Sequence, residues 1–305
     1  MSKISDTSSL IRRYYKGDVM GPGFWDIPAE TYHARAGVDW PITLSKSTIH
    51  TMVSKSPLHA WYEHPQLGGN SCEASAAMDF GDIVHQLILG KGDGFAVGEF
   101  DDWRTKAARE FKEDARAAGK TPILAHKLDE CGAMVDAFER QVCASDQCEF
   151  YHPDCISELA MLFPADGALC QSLIDRTLLL AGKMWDVKTC PSAHPKAIAA
   201  KIAQMGYDIQ SELYQIGYET LLPQMGGRSG FVFLFVETTP PYVVTPVTLS
   251  GEARAVADFK IRRAIPLWKD CLIADEWPAY GNETLTINPP PWALNAEIEA
   301  GLYDQ

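Results

Sequence analysis

At about residue 156 the chain changes texture. Short runs at 156–163, 169–180, 183–189, 230–237 and 242–249 are apolar and rich in β-branched or aromatic residues, which favours strands. Two segments with helical spacing, 194–204 and 207–221, separate the third run from the fourth, and a longer helical pattern at 250–274 follows the fifth. Strands interleaved with helices in this way imply an α/β domain. Upstream the texture is helical. Leu44-Ser45-Lys46-Ser47-Thr48 offers hydroxyl N-caps before Ile49, Met52 and Val53, and this helix ends near Ser56-Pro57, with a second short one running through Trp61. Residues 76–90 place Met78, Ile83, Leu87 and Ile88 near helical spacing with Gly90 as a C-cap, and further helices are expected at 104–118 and 125–142. Residues 1–40 carry Gly21-Pro22-Gly23 and no clear period, so they read as an arm or irregular layer, followed by a main domain over 41–292 and a tail over 293–305.

A chain of 305 residues with 46% hydrophobic side chains can fill a sizeable core, so disorder is excluded as the default. Its 27 basic residues against 40 acidic ones give a formal net charge of -13, which argues against a protein that coats nucleic acid through bulk charge. That objection weakens where acids cover the outside and bases line one channel, because local potential steers a polyanion. The eight cysteines, Cys72, Cys131, Cys143, Cys148, Cys155, Cys170, Cys190 and Cys271, match no paired or zinc-ligand spacing and are expected to be reduced thiols. No apolar stretch approaches the roughly 18 residues needed to span a bilayer, and MSKISDTSSL lacks an apolar targeting segment, so a cytoplasmic protein with no membrane partner is expected.

The chemistry-bearing stretch is Ile174-Asp175-Arg176 followed by Trp185-Asp186-Val187-Lys188-Thr189. If Ala181-Gly182 forms the tip of a hairpin, Leu180 faces Lys183, and stepping back along both strands sets Asp175 opposite Lys188, with Asp186 on the same face. Two carboxylates on an apolar pair of strands repel each other and resist burial unless a cation neutralises them. Oxygen ligands with open positions suit Mg²⁺, with Mn²⁺ as a substitute, and an adjacent ammonium orients water for phosphodiester hydrolysis. The alternative is an ordinary cross-strand ion pair between Asp175 and Lys188 with Asp186 at a solvent edge. Gln210 and Tyr214, at i and i+4, share one helix face just beyond this strand, and His85 sits on an apolar helix; taken alone, such a pair is more often solvated or packing and such a histidine more often a satisfied core residue than part of a site.

The order His, acid, Asp-x-Lys, Gln-x-x-x-Tyr resembles the RecE- and RecB-like branch of the PD-(D/E)XK nucleases, phage exonucleases among them. Further matches are Tyr32-His33-Ala34, Leu44-Ser45-Lys46-Ser47, Ser56-Pro57, Phe80-Gly81-Asp82-Ile83-Val84-His85, Arg104-Thr105-Lys106, Gly119-Lys120-Thr121, Trp277-Pro278-Ala279-Tyr280 and Pro291-Trp292, so the resemblance spans about residues 30–292. It implies a restriction-endonuclease-like core, a mixed β-sheet flanked by helices with a helical N-terminal portion. It also implies that His85, Asp175 and Asp186 bind metal and that Lys188 serves the attacking water. Gln210 and Tyr214 would hold DNA or order the site, and Glu158 would be a ligand or outer support where it is not simply a solvent-facing strand residue. Ser45, Ser47, Thr105 and Lys106 would contact phosphates, against the plainer reading of helix caps and an exposed lysine.

The activity so implied is a 5′ to 3′ exonuclease on double-stranded DNA ends in phage-type recombination. Its expected partners are duplex DNA, a single-strand annealing protein of the RecT type and further copies of itself in a ring, a trimer or tetramer. Competing readings are a repair or defence endonuclease on the same fold and a DNA-binding or structural phage protein without catalysis. Only Cys271 lies where some relatives carry a cysteine cluster, so no iron-sulfur cluster is expected, and no Walker loop is present to bind ATP.

Overall fold

The structure is a computed structural model that describes residues 7–15, 17–34, 40–70, 76–225, 229–281 and 283–300. In chain order its elements are β1 (Ile11–Arg13), β2 (Gly23–Asp26), α1 (Ala29–Ala34), β3 (Leu44–Ser45), α2 (Lys46–Ser54), α3 (Pro57–Glu63), α4 (Ala76–Leu89), β4 (Phe95–Gly98), α5 (Lys106–Ala117), β5 (Thr121–Leu124), α6 (Ala125–Cys143), β6 (Ile156–Ala165), β7 (Ala168–Leu178), β8 (Lys183–Cys190), α7 (Pro195–Met205), α8 (Tyr207–Leu221), β9 (Gly230–Glu237), β10 (Val244–Val247), α9 (Gly251–Ala274) and α10 (Pro291–Glu299). The main sheet runs β1-β2-β6-β7-β8-β9-β10, with β3 added beside β7, and β4 pairs with β5 in a small second sheet. β6, β7 and β8 are antiparallel neighbours, whereas β8 and β9 are parallel because α7 and α8 carry the chain back between them.

Helices cover both faces of this mixed sheet. Met184 and Phe233 pack with α2, α8 and α9 side chains such as Ile49, Ile209, Leu213 and Trp268, while Trp185 and Leu234 pack with α4 and α6 through Ile83, Val84, Met134 and Phe138. Burial on both faces explains why β9 reads as an unbroken apolar run, FVFLFV, rather than an alternating one. α8 is the central helix. Nearly all of it is buried although its sequence, YDIQSELYQIGYETL, is half polar. Two ion pairs to α9 satisfy part of that polarity, Asp208 with Lys260 at 2.5 Å and Glu212 with Arg254 at 3.1 Å.

Several expectations need correction. The segment before residue 40 is not only an irregular arm, since Gly23–Asp26 pairs with Leu159–Leu162 of β6 and β1 extends the sheet beyond it. Strands of three and four residues are too short to display a period. The same reason hid β3, β4 and β5, and α10 crosses the expected boundary at 292. The turn between β7 and β8 also differs. Leu178, not Leu180, pairs with Lys183, and Leu179–Gly182 closes the turn with Gly182 in the left-handed region at φ +68°. Seven cysteines are free thiols, Cys72 lies outside the described residues, and no described helix is long and apolar enough to cross a membrane.

The contact between α8 and the sheet is close enough to depend on a missing side chain. A Cβ on Gly217 would stand 2.6 Å from Phe163 Cε1 on β6, and Phe163 is fully buried. Gly217→Ala is therefore expected to destabilise by about 1–3 kcal/mol through overpacking, outweighing its gain in helix propensity. A urea denaturation midpoint at or above wild type would contradict this packing.

Candidate active site

The site begins where the central sheet forks. On one edge β7 carries β3 at Cys170 and Gln171 and β8 at Arg176 to Leu178, so residues 172–175 face an opening between the two neighbours. Extending the β7–β8 register by one step sets Asp175 beside Asp186, which corrects the expected pairing with Lys188. Instead of a ladder carbonyl, the Asp175 carboxylate takes up backbone polarity there, with Oδ2 accepting the Val187 amide at 2.8 Å. On the other edge the β6–β7 ladder runs from Ile156–Thr177 to Ala165–Ala168 and passes over the pair Glu158–Asp175. Glu158 has φ +50°, a conformation costing a residue with a side chain about 1–2 kcal/mol. Glu158, Asp175 and Asp186 thus occupy corresponding positions on three adjacent strands.

Their electrostatics follow from this crowding. His85, brought by α4, lies with Nε2 2.8 Å from Asp175 Oδ2. Burial opposes ionisation of Asp175, but His85, Lys188 and the Val187 amide together hold its pKa below the ordinary value. Burial also pulls the His85 imidazole down, and Asp175 more than reverses it, raising the pKa to about 8. Asp186 is 1% exposed, receives Gln210 Nε2 at Oδ2 and pairs at Oδ1 with Lys188 Nζ at 2.5 Å. Burial first and Asp175 second push its carboxyl up to about 6. Glu158 is raised as well, chiefly by burial, and its Oε2 is buried without a hydrogen-bond partner. The Lys188 ammonium is raised despite burial, because Asp186 and Asp175 face it.

A cavity of about 780 Å³ opens over this row, and its wall includes His85, Glu158, Asp175, Asp186, Lys188, Gln210, Tyr214, Ser45 and Ser47. Nine of the sequence-predicted residues therefore meet. Thr105 and Lys106 do not line it. Thr105 caps α5 by accepting the Ala108 amide, and Lys106 is exposed beside Glu110. Lys46, Gln171 and Tyr207 also line the cavity and were not anticipated. A signal existed for Tyr207, three residues before Gln210 on one helix face. Among the described residues no three His, Cys, Asp or Glu side chains are already gathered about a common point for a cation. Asp175 Oδ2 is instead engaged by His85 and the Val187 amide, and the two Asp186 oxygens by Lys188 and Gln210. The donor set itself, three buried carboxylates with Glu158 Oε2 unpartnered and Asp186 Oδ1 met only by the Lys188 ammonium, suits a hard divalent cation.

Residues 45–287 match the PDDEXK-like domain of unknown function (DUF3799). The chain belongs to this family. Its mixed sheet flanked by helices is accordingly the PDDEXK-like fold, which places it in the PD-(D/E)XK nuclease superfamily. A solved structure named "Putative exonuclease" from Eubacterium rectale shares that fold at a TM-score of 0.58 and 16% identity, over 89% of this chain and 98% of the other. A phage related exonuclease from Haemophilus somnus 129PT is similar at a TM-score of 0.34 and 10% identity, over 78% and 98% of the two chains. No curated protein matches. The matched stretch of this DUF3799 chain includes the fork and its Asp186-Val187-Lys188 sequence.

The His85–Asp175 pair gives the metal-free protein a signed pH dependence. Because folding raises the His85 pKa from 6.5 to about 8, the pair stabilises fully below the unfolded value and is lost as pH rises through about 8. Denaturation in EDTA is expected to show His85→Asn less stable than wild type near pH 6, with the gap closing towards pH 9. An equal gap at both would contradict the pairing.

Proposed function

We propose that this protein is a divalent-metal-dependent nuclease that hydrolyses DNA phosphodiester bonds. The observation that carries this is the row Glu158, Asp175, Asp186 at the sheet fork, with Lys188 on Asp186 and a cavity above. Asp175, Asp186, Glu158 and His85 would hold Mg²⁺ or Mn²⁺, which when bound neutralises phosphate charge and lowers the pKa of water. Lys188, released from Asp186, is free to hydrogen-bond a water or a phosphate oxygen. Gln210 keeps Asp186 turned into the cavity, and Tyr214 closes the wall beside it.

The finer reading is a 5′ to 3′ exonuclease on duplex ends, working in the cytoplasm in phage-type recombination beside a RecT-type annealing protein, as a ring of identical subunits. It is supported by the ordered resemblance from His85 to Tyr214 and by the exonuclease name of the Eubacterium rectale structure that shares the fold. A ring with acidic outer surfaces and a basic lumen would also suit the net charge of -13.

End-labelled linear duplex and closed circular DNA, each with Mg²⁺ or EDTA, test both levels. Metal-dependent shortening of the linear duplex with the circle left intact is expected. Cutting of the circle would replace the exonuclease by an endonuclease, and no cutting of either would overturn the nuclease. Asp186→Ala should lower cleavage by at least ~100-fold, and Gln210→Ala, which acts through Asp186, by about 10–100-fold. Lys188→Ala should lower turnover while leaving metal affinity near wild type. Equal damage to metal affinity in Lys188→Ala and Asp186→Ala would contradict this division of roles.

Metal affinity carries its own pH signature. Asp186 releases its proton through about pH 6 and His85 through about pH 8, the latter freeing Asp175. Calorimetric Mn²⁺ titrations should therefore tighten steadily as the pH rises from about 5 to about 9. A flat profile would mean that other groups bind the ion.

A further inference from the structure

Beside the carboxylate row the cavity wall changes sign, and the hydrolytic chemistry uses none of the groups responsible. Lys46, the first residue of α2, points its ammonium at the Met205 carbonyl at 2.7 Å and at the Tyr207 ring, 4.9 Å from its centroid. Lys188 Nζ lies 5.0 Å from the same centroid, so one ring gathers two cations. Yet only Lys188 has a carboxylate partner. Among the described residues none stands within ion-pair distance of Lys46, in a chain whose acids outnumber its bases 40 to 27. Burial and the nearby Lys188 lower the Lys46 pKa to about 8 although Asp186 and Asp208 pull the other way, and an anion in direct contact would oppose that lowering.

A second observation is independent of charge. Gln171 is fully buried and pairs with Ser45 in the β3–β7 ladder, which places it next to the start of α2. Its Oε1 accepts from Trp40 Nε1 at 3.0 Å and from Thr43 Oγ1. Tryptophan only donates, so this contact fixes which end of the amide is which. Nε2 is left buried on the cavity wall with no partner. An unmade hydrogen bond of this kind is retained at a cost that a bound acceptor would remove. The first-turn amides of α2 lack intrahelical acceptors, Ser45 Oγ caps Thr48, and Ser47 is exposed on the rim.

We propose that Lys46, Ser47 and Gln171, at the start of α2, form a phosphate-binding subsite distinct from the carboxylate row, which takes a backbone phosphate of the nucleic-acid strand neighbouring the one that is cut. Lys46 and Gln171 Nε2 present a cation and an unused donor to this part of the wall, where the row at the fork supplies carboxylates. The two halves sort the strand. The phosphate to be hydrolysed goes to the carboxylates and any ion they hold, and its neighbour goes to Lys46. Tyr207 is a positioning residue for both, its ring within about 5 Å of each ammonium group. The assignment of a nucleic-acid strand rests on the nuclease reading; the donor cluster does not.

The test measures binding of a short duplex in Ca²⁺ by fluorescence anisotropy over a range of salt, for wild type, Lys46→Met, Lys46→Arg and Gln171→Glu. Gln171→Glu keeps the oxygen that Trp40 and Thr43 use but exchanges the unpartnered donor for a second acceptor at a fully buried position. It should weaken binding at least as much as Lys46→Met, and its urea midpoint, expected to fall, is measured beside it so that binding is read on folded protein. Lys46→Met is expected to weaken binding about tenfold and to reduce the salt slope by about one, whereas Lys46→Arg keeps the slope. A neutral methylphosphonate walked along the strand should weaken wild type at one position that leaves Lys46→Met unaffected, the non-additivity of a direct contact. Additive losses at every position, or an unchanged salt slope in Lys46→Met, would overturn the subsite. If these fail while wild type still cleaves DNA with Mg²⁺, the subsite alone is wrong; if wild type neither binds nor cleaves, both it and the nuclease reading fall.

Discussion

Asp175 is the residue on which the arrangement turns. Its carboxylate sits between two others, on neighbouring strands, in a part of the sheet where burial disfavours every negative charge. What makes the position tolerable is a set of donors delivered by separate elements: the Val187 amide from β8, the His85 ring from α4 and, one residue further across, Lys188 and Gln210 on Asp186. Val187 and His85 both answer Asp175 Oδ2, and Lys188 and Gln210 answer one oxygen each of Asp186. Glu158 Oε2 is left over, on a residue held in a left-handed backbone conformation. Strain and an unmade hydrogen bond at the same residue are costs that the proposed cation would offset.

The rest of the structure holds this point in place. β3 and β8 share one edge of β7 and leave the gap that becomes the cavity, while α8 runs beneath with Gln210 and Tyr214 facing it. α8 is buried and half polar, so its position relies on ion pairs with α9 as well as on apolar packing. Breaking such a buried pair by removing one partner is strongly destabilising, which ties the geometry at Asp186 to contacts on the far side of the helix.

Much of this was legible before the fold was known. The strand runs from 156 onward, the caps of α2 and the helices bearing His85 and Gln210 all announce themselves through period and punctuation. Asp175, Asp186 and Lys188 stand out because charges interrupt apolar strands. What failed was register. Leu179 and Leu180 continue the apolar run, so the strand seemed to extend to a two-residue tip, whereas a short 3-10 turn closed by Gly182 ends it earlier. That shift moves the partner of Asp175 from Lys188 to Asp186, turning an expected ion pair into two opposed carboxylates. Lys46 and Gln171 were invisible for another reason. A lysine inside an N-cap sequence and a glutamine inside a strand become informative only when their partners, or the lack of them, are known.

A crystal of the protein soaked in Mn²⁺ and measured at the manganese edge tests the central claim most directly. The account predicts an anomalous peak bounded by Asp175, Asp186 and Glu158, with Lys188 drawn off Asp186. A peak elsewhere, with His85 still on Asp175 and Lys188 still on Asp186, would show that the carboxylate row at the fork is not a metal site.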